Sequence, residues 1–192
     1  NVKYANPLEP SSLAHLSILS KKLLGLLFVS FVIIALTIDP LLINFLNISN
    51  FKYGTDKPDL RNPLEICDLT KIFNREDVKF ELFKKLVSKG SIVRAIITKD
   101  TNTKPRSFFD NIDKWAKDEG SSGLAYFTLE KEDNKISGKG PIGKFFSTEA
   151  CQEIMKISSA EIGDSIFFAC GQKKDVEKLL SLARDKIAKD LN

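Results

Sequence analysis

Eleven residues in the C-terminal half, Ser137–Ser147 (SGKGPIGKFFS), set the tightest limits on what this chain can fold into. They hold three glycines, a proline and two lysines, and then pass directly into the pair Phe145–Phe146. Glycine admits backbone paths closed to other residues, while proline fixes φ and removes a hydrogen-bond donor. Such a stretch either cradles a phosphate or is a rigid connector fastened to a core by its aromatic end. Gly138–Lys144 does meet the G-x-x-x-x-G-K spacing, in which backbone N–H groups surround phosphates and the lysine adds a charge. The next residue should then be Ser or Thr to hold Mg²⁺, but it is Phe145. A polar tract also separates the apolar run ending at Leu129 from Gly138, and Pro141 removes a donor. The connector reading is the better one. In it Gly140 and Gly143 permit a tight path, Pro141 stiffens it, and Phe145 and Phe146 pack into a core shared with Phe167 and Phe168.

Composition narrows the remaining choices. At 43% apolar and 28% charged, the 192-residue chain has the balance of a globular protein. A net charge of +4 is too mild to establish nucleic-acid binding, though it does not oppose an electrostatic contact. Cys67, Cys151 and Cys170 are widely spaced, and with His15 as the single histidine they form no zinc-binding pattern. They read as reduced, mostly buried residues of a cytosolic domain. His15 lies in an N-terminal segment unlike the rest, and a core or exposed role suits it better than that of a general base. Asp56 and Asp59 share a proline-rich loop with Lys57 and Arg61, a pattern that suits turn hydrogen bonds and surface ion pairs. Nothing here makes a convincing active site.

Residues 1–50 differ in kind, with only five charged residues: Lys3, Glu9, Lys21, Lys22 and Asp39. Leu23–Ile38 is uncharged and is followed by a second apolar piece, Leu41–Leu46. A bilayer span needs about 20 predominantly apolar residues, and Lys21–Lys22 before the run would favour a cytoplasmic N-terminal flank. No small-x-small cleavage site follows, so a cleaved signal peptide fits poorly. A membrane anchor through 23–46, a buried core helix, and residues foreign to the domain remain as readings.

From Phe51 onward short apolar clusters alternate with charge. Tyr53–Pro63 is a loop by its glycine and two prolines. Leu64–Leu69 reads as a strand, Thr70–Phe73 as one helical turn, and Val78–Val87 starts with strand-like alternation. Ser91–Thr98 is a β-branched strand. Ser107–Lys117 spaces Phe108, Phe109, Ile112 and Trp115 along one helical face, and Gly120 stops it. Gly123–Leu129 is a strand, Glu130–Lys135 a solvated hairpin-like loop, Ser147–Ile157 a helix, Ser165–Cys170 a buried strand, and Lys173–Leu191 an amphipathic helix through Val176, Leu179, Leu180, Leu182, Ala183 and Ile187. The pattern predicts an α+β, two-layer domain, a mostly antiparallel small sheet packed by helices.

Four of these stretches carry a resemblance. YGTDKPDLRNP at Tyr53–Pro63 resembles the lead-in to the large insertion of bacterial-type aspartyl-tRNA synthetases. GLAYF at Gly123–Phe127, SGKGPIGKFFS, and GDSIFFACGQKKDV at Gly163–Val176 resemble that insertion itself, the GAD domain, in the same order and similar spacing. A similar domain occurs in a subunit of the archaeal glutamyl-tRNA amidotransferase, but the YGTDKPDLR lead-in points to the synthetase.

The resemblance implies three regions. Residues 1–50 are unlike the family, either frameshift-derived or a membrane anchor; 51–77 connect from a class II catalytic domain; and 78–192 are the GAD insertion and a C-terminal helix. It also implies a homodimeric cytoplasmic parent that uses ATP and Mg²⁺ to attach aspartate to tRNA. An FRDED-like motif 2 should precede Tyr53 and is absent, and motif 3 should follow Asn192. No catalytic, ATP-binding or metal residue therefore carries over. The expectation is a non-catalytic fragment of an aspartate–tRNA ligase that needs no cofactor of its own, with tRNA as partner. Lys139 and Lys144 are its candidate RNA phosphate contacts. The alternatives are a free-standing RNA- or protein-interaction module, or a small membrane-anchored domain.

Overall fold

The computed structural model describes residues 10–191, and of residues 10–20 and 31–41 only the backbone. Residues 1–9 and the side chain of His15 thus lie outside the described part. The chain divides into two compact units, 1–46 and 47–192. Helix α1 runs over Pro10–Tyr53. Within the first unit its Leu23, Leu24, Leu27 and Phe28 side chains are exposed. Among the described residues no helix is long and apolar enough to cross a membrane. Side chains 31–41, the middle of the expected 23–46 anchor, are not among them.

The second unit is built on a five-stranded antiparallel sheet in the order β1-β2-β5-β3-β4. Its strands are β1 Ile66–Asp68, β2 Ile92–Thr98, β3 Ala125–Glu132, β4 Lys135–Lys139 and β5 Ser165–Gly171. The apolar run SIFFAC becomes the central strand because it is covered on both faces, which removes the usual alternation with polar residues. Ile166 and Phe168 enter one core with Phe127, Leu129 and Phe146, while Phe167 and Ala169 enter the other with Ile96 and Tyr126. Helices α2 (Glu81–Val87) and α4 (Thr148–Ser158) cover the first face. Helices α3 (Arg106–Asp118) and α5 (Lys173–Leu191) cover the second.

The antiparallel sheet packed by helices is the α+β arrangement anticipated from sequence. A helical layer on each face extends the expected two layers to three. One consequence corrects the anticipated core: Phe167 cannot join Phe146 and Phe168, because successive strand side chains point to opposite faces. Phe145 is only half-buried, so Phe146 is the anchor of the glycine-rich stretch.

One local reading also changes. Val78 does bridge to Phe146 in β fashion, but the chain then turns into α2, with Phe83 buried and Leu82 exposed. The ring of Phe83 packs 5.3 Å from Phe73 and 4.8 Å from Phe80, and this tertiary contact overrides the short alternating pattern. The charged tract Glu130–Lys135 forms the end of the expected hairpin, with a turn tighter than the whole tract. Strand pairing continues to Glu132↔Lys135, leaving only Asp133 and Asn134 in the turn, with φ of 47° and 62°. Asp and Asn tolerate that left-handed region better than most residues.

Candidate functional site

A cleft of about 490 Å³ opens between the N-terminal end of α3 and the β3–β4 hairpin. Strand periodicity supplies its floor: Tyr126, Thr128 and Glu130 alternate along β3 onto one face. Lys139 stands directly opposite Thr128 in the register, which puts its side chain on that face as well. The chain then turns through Gly140–Pro141 into a 3₁₀ turn, Gly143–Phe145, which brings Lys144 to the same rim.

Close backbone contact holds this turn in place. A methyl group at Gly143 would overlap the Gly138 carbonyl, and one at Gly138 would meet the Phe127 ring at 2.8 Å. The two glycines are required because the two strands of the loop touch. That contact fills the space a phosphate-cradling loop would leave open. Gly138 lies in β4, and Lys144 sits inside a 3₁₀ turn, not at the start of an α-helix.

The opposite rim is the β2–α3 loop, with Asn102, Lys104 and Arg106. It is fastened from below. Thr101 and Thr98 share a buried hydroxyl hydrogen bond of 2.8 Å, and the Asn102 N–H donates to the Gly163 carbonyl at 3.0 Å. The buried Asp164 carboxylate accepts from Lys99 Nζ at 2.8 Å, from the Asp100 N–H at 3.1 Å and from the Glu161 N–H at 2.7 Å. A buried carboxylate satisfied three times over makes the loop base rigid.

The electrostatics of the cleft are one-sided. Lys104, Arg106, Lys139 and Lys144 line it with a single carboxylate, Glu130. Glu130 pairs with Lys139 at 2.8 Å and raises the lysine's pKa. Arg106 Nε is 3.2 Å from Asp110 Oδ2, and Tyr126 donates its hydroxyl to Asp110 Oδ1 at 2.7 Å. Burial, reinforced by that carboxylate, pushes the Tyr126 hydroxyl up to about 12, so at neutral pH it remains a donor. Such a concavity suits an anion.

The structure thus brings Lys139 and Lys144 into one cleft. Sequence reading missed Lys104, Arg106 and Tyr126. The basic Lys104-Pro105-Arg106 triplet was a signal, but its proximity to Lys139 depends on the pairing of β3 with both β4 and β5. Asp59 does make turn and ion-pair contacts: its carboxylate accepts from the Arg61 N–H at 3.0 Å and from Arg61 Nη2 at 2.8 Å. The three cysteines are unpaired, and burial pushes Cys67 up to about 12 and Cys151 and Cys170 up to about 11, which leaves poor nucleophiles.

Comparison with known proteins gives a match to the GAD domain over residues 83–180, just over half of the chain, a span that takes in strands β2 to β5 and the residues lining the cleft. The chain belongs to the GAD domain family. Its curated relatives include the aspartate–tRNA(Asp/Asn) ligase of Pelagibacter ubique, 73% identical over 143 residues, which are 74% of this chain and 24% of that protein. The ligases of the same name from Beijerinckia indica and Methylocella silvestris are each 46% identical over 140 residues, 73% of this chain, and 24% and 22% of those proteins. The chain spans about a quarter of the length of the curated relatives it matches. In this GAD domain the family match begins within α2 and ends within α5.

Proposed function

We propose that this chain acts as the RNA-facing GAD appendage of an aspartate–tRNA ligase and does not itself catalyse aminoacylation. The observation that carries the reading is the 73% identity over 143 residues to a protein named as such a ligase. The cleft supports its RNA-facing part, because Lys139 and Lys144 share one concavity with two further cations. The non-catalytic part is supported by sequence, since no FRDED-like motif 2 occurs in it. ATP and Mg²⁺ would belong to the catalytic portion of the parent enzyme, and no residue of this chain is assigned to hold them. Cytoplasmic placement, tRNA as partner and a homodimeric parent follow from the same family reading.

Two measurements on the purified 192-residue chain test this. Aspartate-dependent ATP–pyrophosphate exchange is expected at the buffer-control level, and exchange above it overturns the non-catalytic assignment. Binding to tRNA is expected at low salt, with log affinity falling against log salt at a slope of about −1.8 if Lys139 and Lys144 each neutralise one phosphate. Absence of affinity at low salt overturns the RNA-facing assignment.

A further inference from the structure

The cleft is better defined than a patch of surface lysines. Its two remaining cations are positioned without being neutralised. Among the described residues Lys104 and Lys144 form no ion pair. Instead Lys104 Nζ lies 5.6 Å from the centroid of the Phe108 ring, and Lys144 Nζ lies 5.2 Å from that of Phe145. Cation–π contacts hold an ammonium group in place while leaving its full charge for another partner. The cleft also has an aromatic wall, Tyr126 stacked on Phe109 with ring centroids 5.0 Å apart and planes 16° from parallel. The Thr128 hydroxyl, 2.8 Å from Ser165 Oγ, adds a polar group on the floor. A volume of about 490 Å³ exceeds what a bare anion fills and falls in the range of small-ligand sites.

We propose that this cleft binds one nucleotide, its phosphate held by Lys104 and Lys144 and its nucleoside against the Tyr126–Phe109 wall. The shared chemistry is a nucleoside phosphate, supplied either as a free mononucleotide or as one unit of single-stranded RNA. The inference deepens the RNA-facing reading by naming the site, and it rests on that reading only for the second source.

The test uses the full chain with AMP, inorganic phosphate, a single-stranded pentaribonucleotide and the same pentamer in a duplex, followed by amide chemical shifts and fluorescence anisotropy. Lys104→Gln and Lys144→Gln are compared with Lys156→Gln, an exposed lysine on α4 outside the cleft. Each cleft variant is expected to weaken nucleotide binding about fivefold at 0.1 M salt and to make single-strand binding less dependent on salt. Lys156→Gln is expected to leave both unchanged. AMP binding as tightly as the pentamer identifies a mononucleotide site, and a clear preference for the pentamer identifies the single strand. Three results overturn the proposal: an equal loss in Lys156→Gln, no loss in either cleft variant, or inorganic phosphate or duplex binding as well as the nucleotide ligands. Unchanged tRNA affinity in the cleft variants refutes this site while leaving the RNA-facing role intact. Nucleotide binding without tRNA affinity does the reverse.

Discussion

Arg184 Nε on α5 donates a 2.6 Å hydrogen bond to the carbonyl of Leu64, 120 residues away in sequence. Its Nη2 donates to the carbonyls of Asp59, at 2.7 Å, and of Asn62, and its guanidinium lies 4.8 Å from the Tyr53 ring centroid. Asn62 Nδ2 returns a hydrogen bond to the Arg184 carbonyl at 3.0 Å. The YGTDKPDLRNP segment is therefore wrapped around one buried side chain. Carbonyl oxygens satisfy its donors, and the aromatic face of Tyr53 lies alongside its charge.

Removing that side chain leaves several carbonyls without partners at once. Each buried polar group left unsatisfied costs about 1–3 kcal/mol, so Arg184→Met is expected to lower stability by about 3 kcal/mol or more in urea unfolding. Arg184→Lys should recover little, because an ammonium group cannot reproduce the planar fork that serves three carbonyls. The exposed Lys178→Ala on the same helix should stay within about 0.5 kcal/mol of the parent. Comparable losses in Arg184→Met and Lys178→Ala refute the clamp.

The last turns of α1 that belong to the second unit make four contacts within it. Ser49 Oγ donates to the Thr55 carbonyl at 2.9 Å, and Lys52 pairs with Glu65 at 3.2 Å. Phe51 lies 4.7 Å from the guanidinium of the buried Arg94, which also pairs with Glu177 at 3.0 Å, and Tyr53 covers Arg184. Cation–π contacts contribute about 0.5–1 kcal/mol at exposed sites such as Phe51 and about 2 kcal/mol when desolvated, so a chain starting at Gly54 should be about 1–3 kcal/mol less stable than one starting at Asn47. Coincident urea midpoints for the two truncations count against this assignment.

Much of this fold was legible because local and tertiary preferences agree. The apolar runs GLAYF and SIFFAC match the burial the structure gives them; of the residues expected on one face of α3 and α5, Phe109, Ile112, Val176, Leu179, Leu180, Ala183 and Ile187 are buried, Phe108 and Trp115 are half-buried, and Leu182 is exposed. Legibility failed where a contact from elsewhere decided the outcome, as when the Phe73 and Phe80 rings drew Phe83 into a helix. Buried Arg94 and Arg184 read as ordinary charges, since nothing local marks a guanidinium that will meet distant carbonyls or carboxylates. Half of the cleft was visible as Lys139 and Lys144. The other half comes from a loop whose proximity is set by strand order.

Within the glycine-rich stretch the two phenylalanines and the third glycine should separate cleanly. Phe146 is buried, with its ring 5.0 Å from Phe127 and 5.7 Å from Phe73. Phe146→Ala is expected to cost about 3–5 kcal/mol, and the half-buried Phe145→Ala distinctly less. Gly143→Ala forces a methyl against the Gly138 carbonyl and should cost about 1–3 kcal/mol as overpacking does. Lys144→Ala should stay within about 0.5 kcal/mol. Denaturant midpoints for the four variants check the order, and a larger loss for Phe145→Ala than for Phe146→Ala refutes it.

Asp77 ties a loop to the start of α4, and its charge makes that tie pH-dependent. Arg75 Nε and Nη2 donate to its two oxygens at 2.8 Å each. Ser147 donates its hydroxyl to Oδ2 at 2.5 Å while accepting from the Ala150 N–H at 3.0 Å as the helix N-cap. The Arg75 guanidinium first, and then the Ser147 hydroxyl, hold the carboxyl down to about 2 from an ordinary 3.8. A depressed carboxyl stabilises the fold above its unfolded-state value, and that contribution is lost as pH falls through the folded-state value. The stability gap between the parent and Asp77→Asn should therefore be full at neutral pH, shrink as pH falls below 3.8 and vanish only below about 2. Ser147→Ala should instead show a deficit of about 1 kcal/mol from the lost cap that persists where Asp77 is protonated. Urea midpoints across this acid range provide the check, and a parent–Asp77→Asn gap that stays constant down to the lowest pH refutes the assignment.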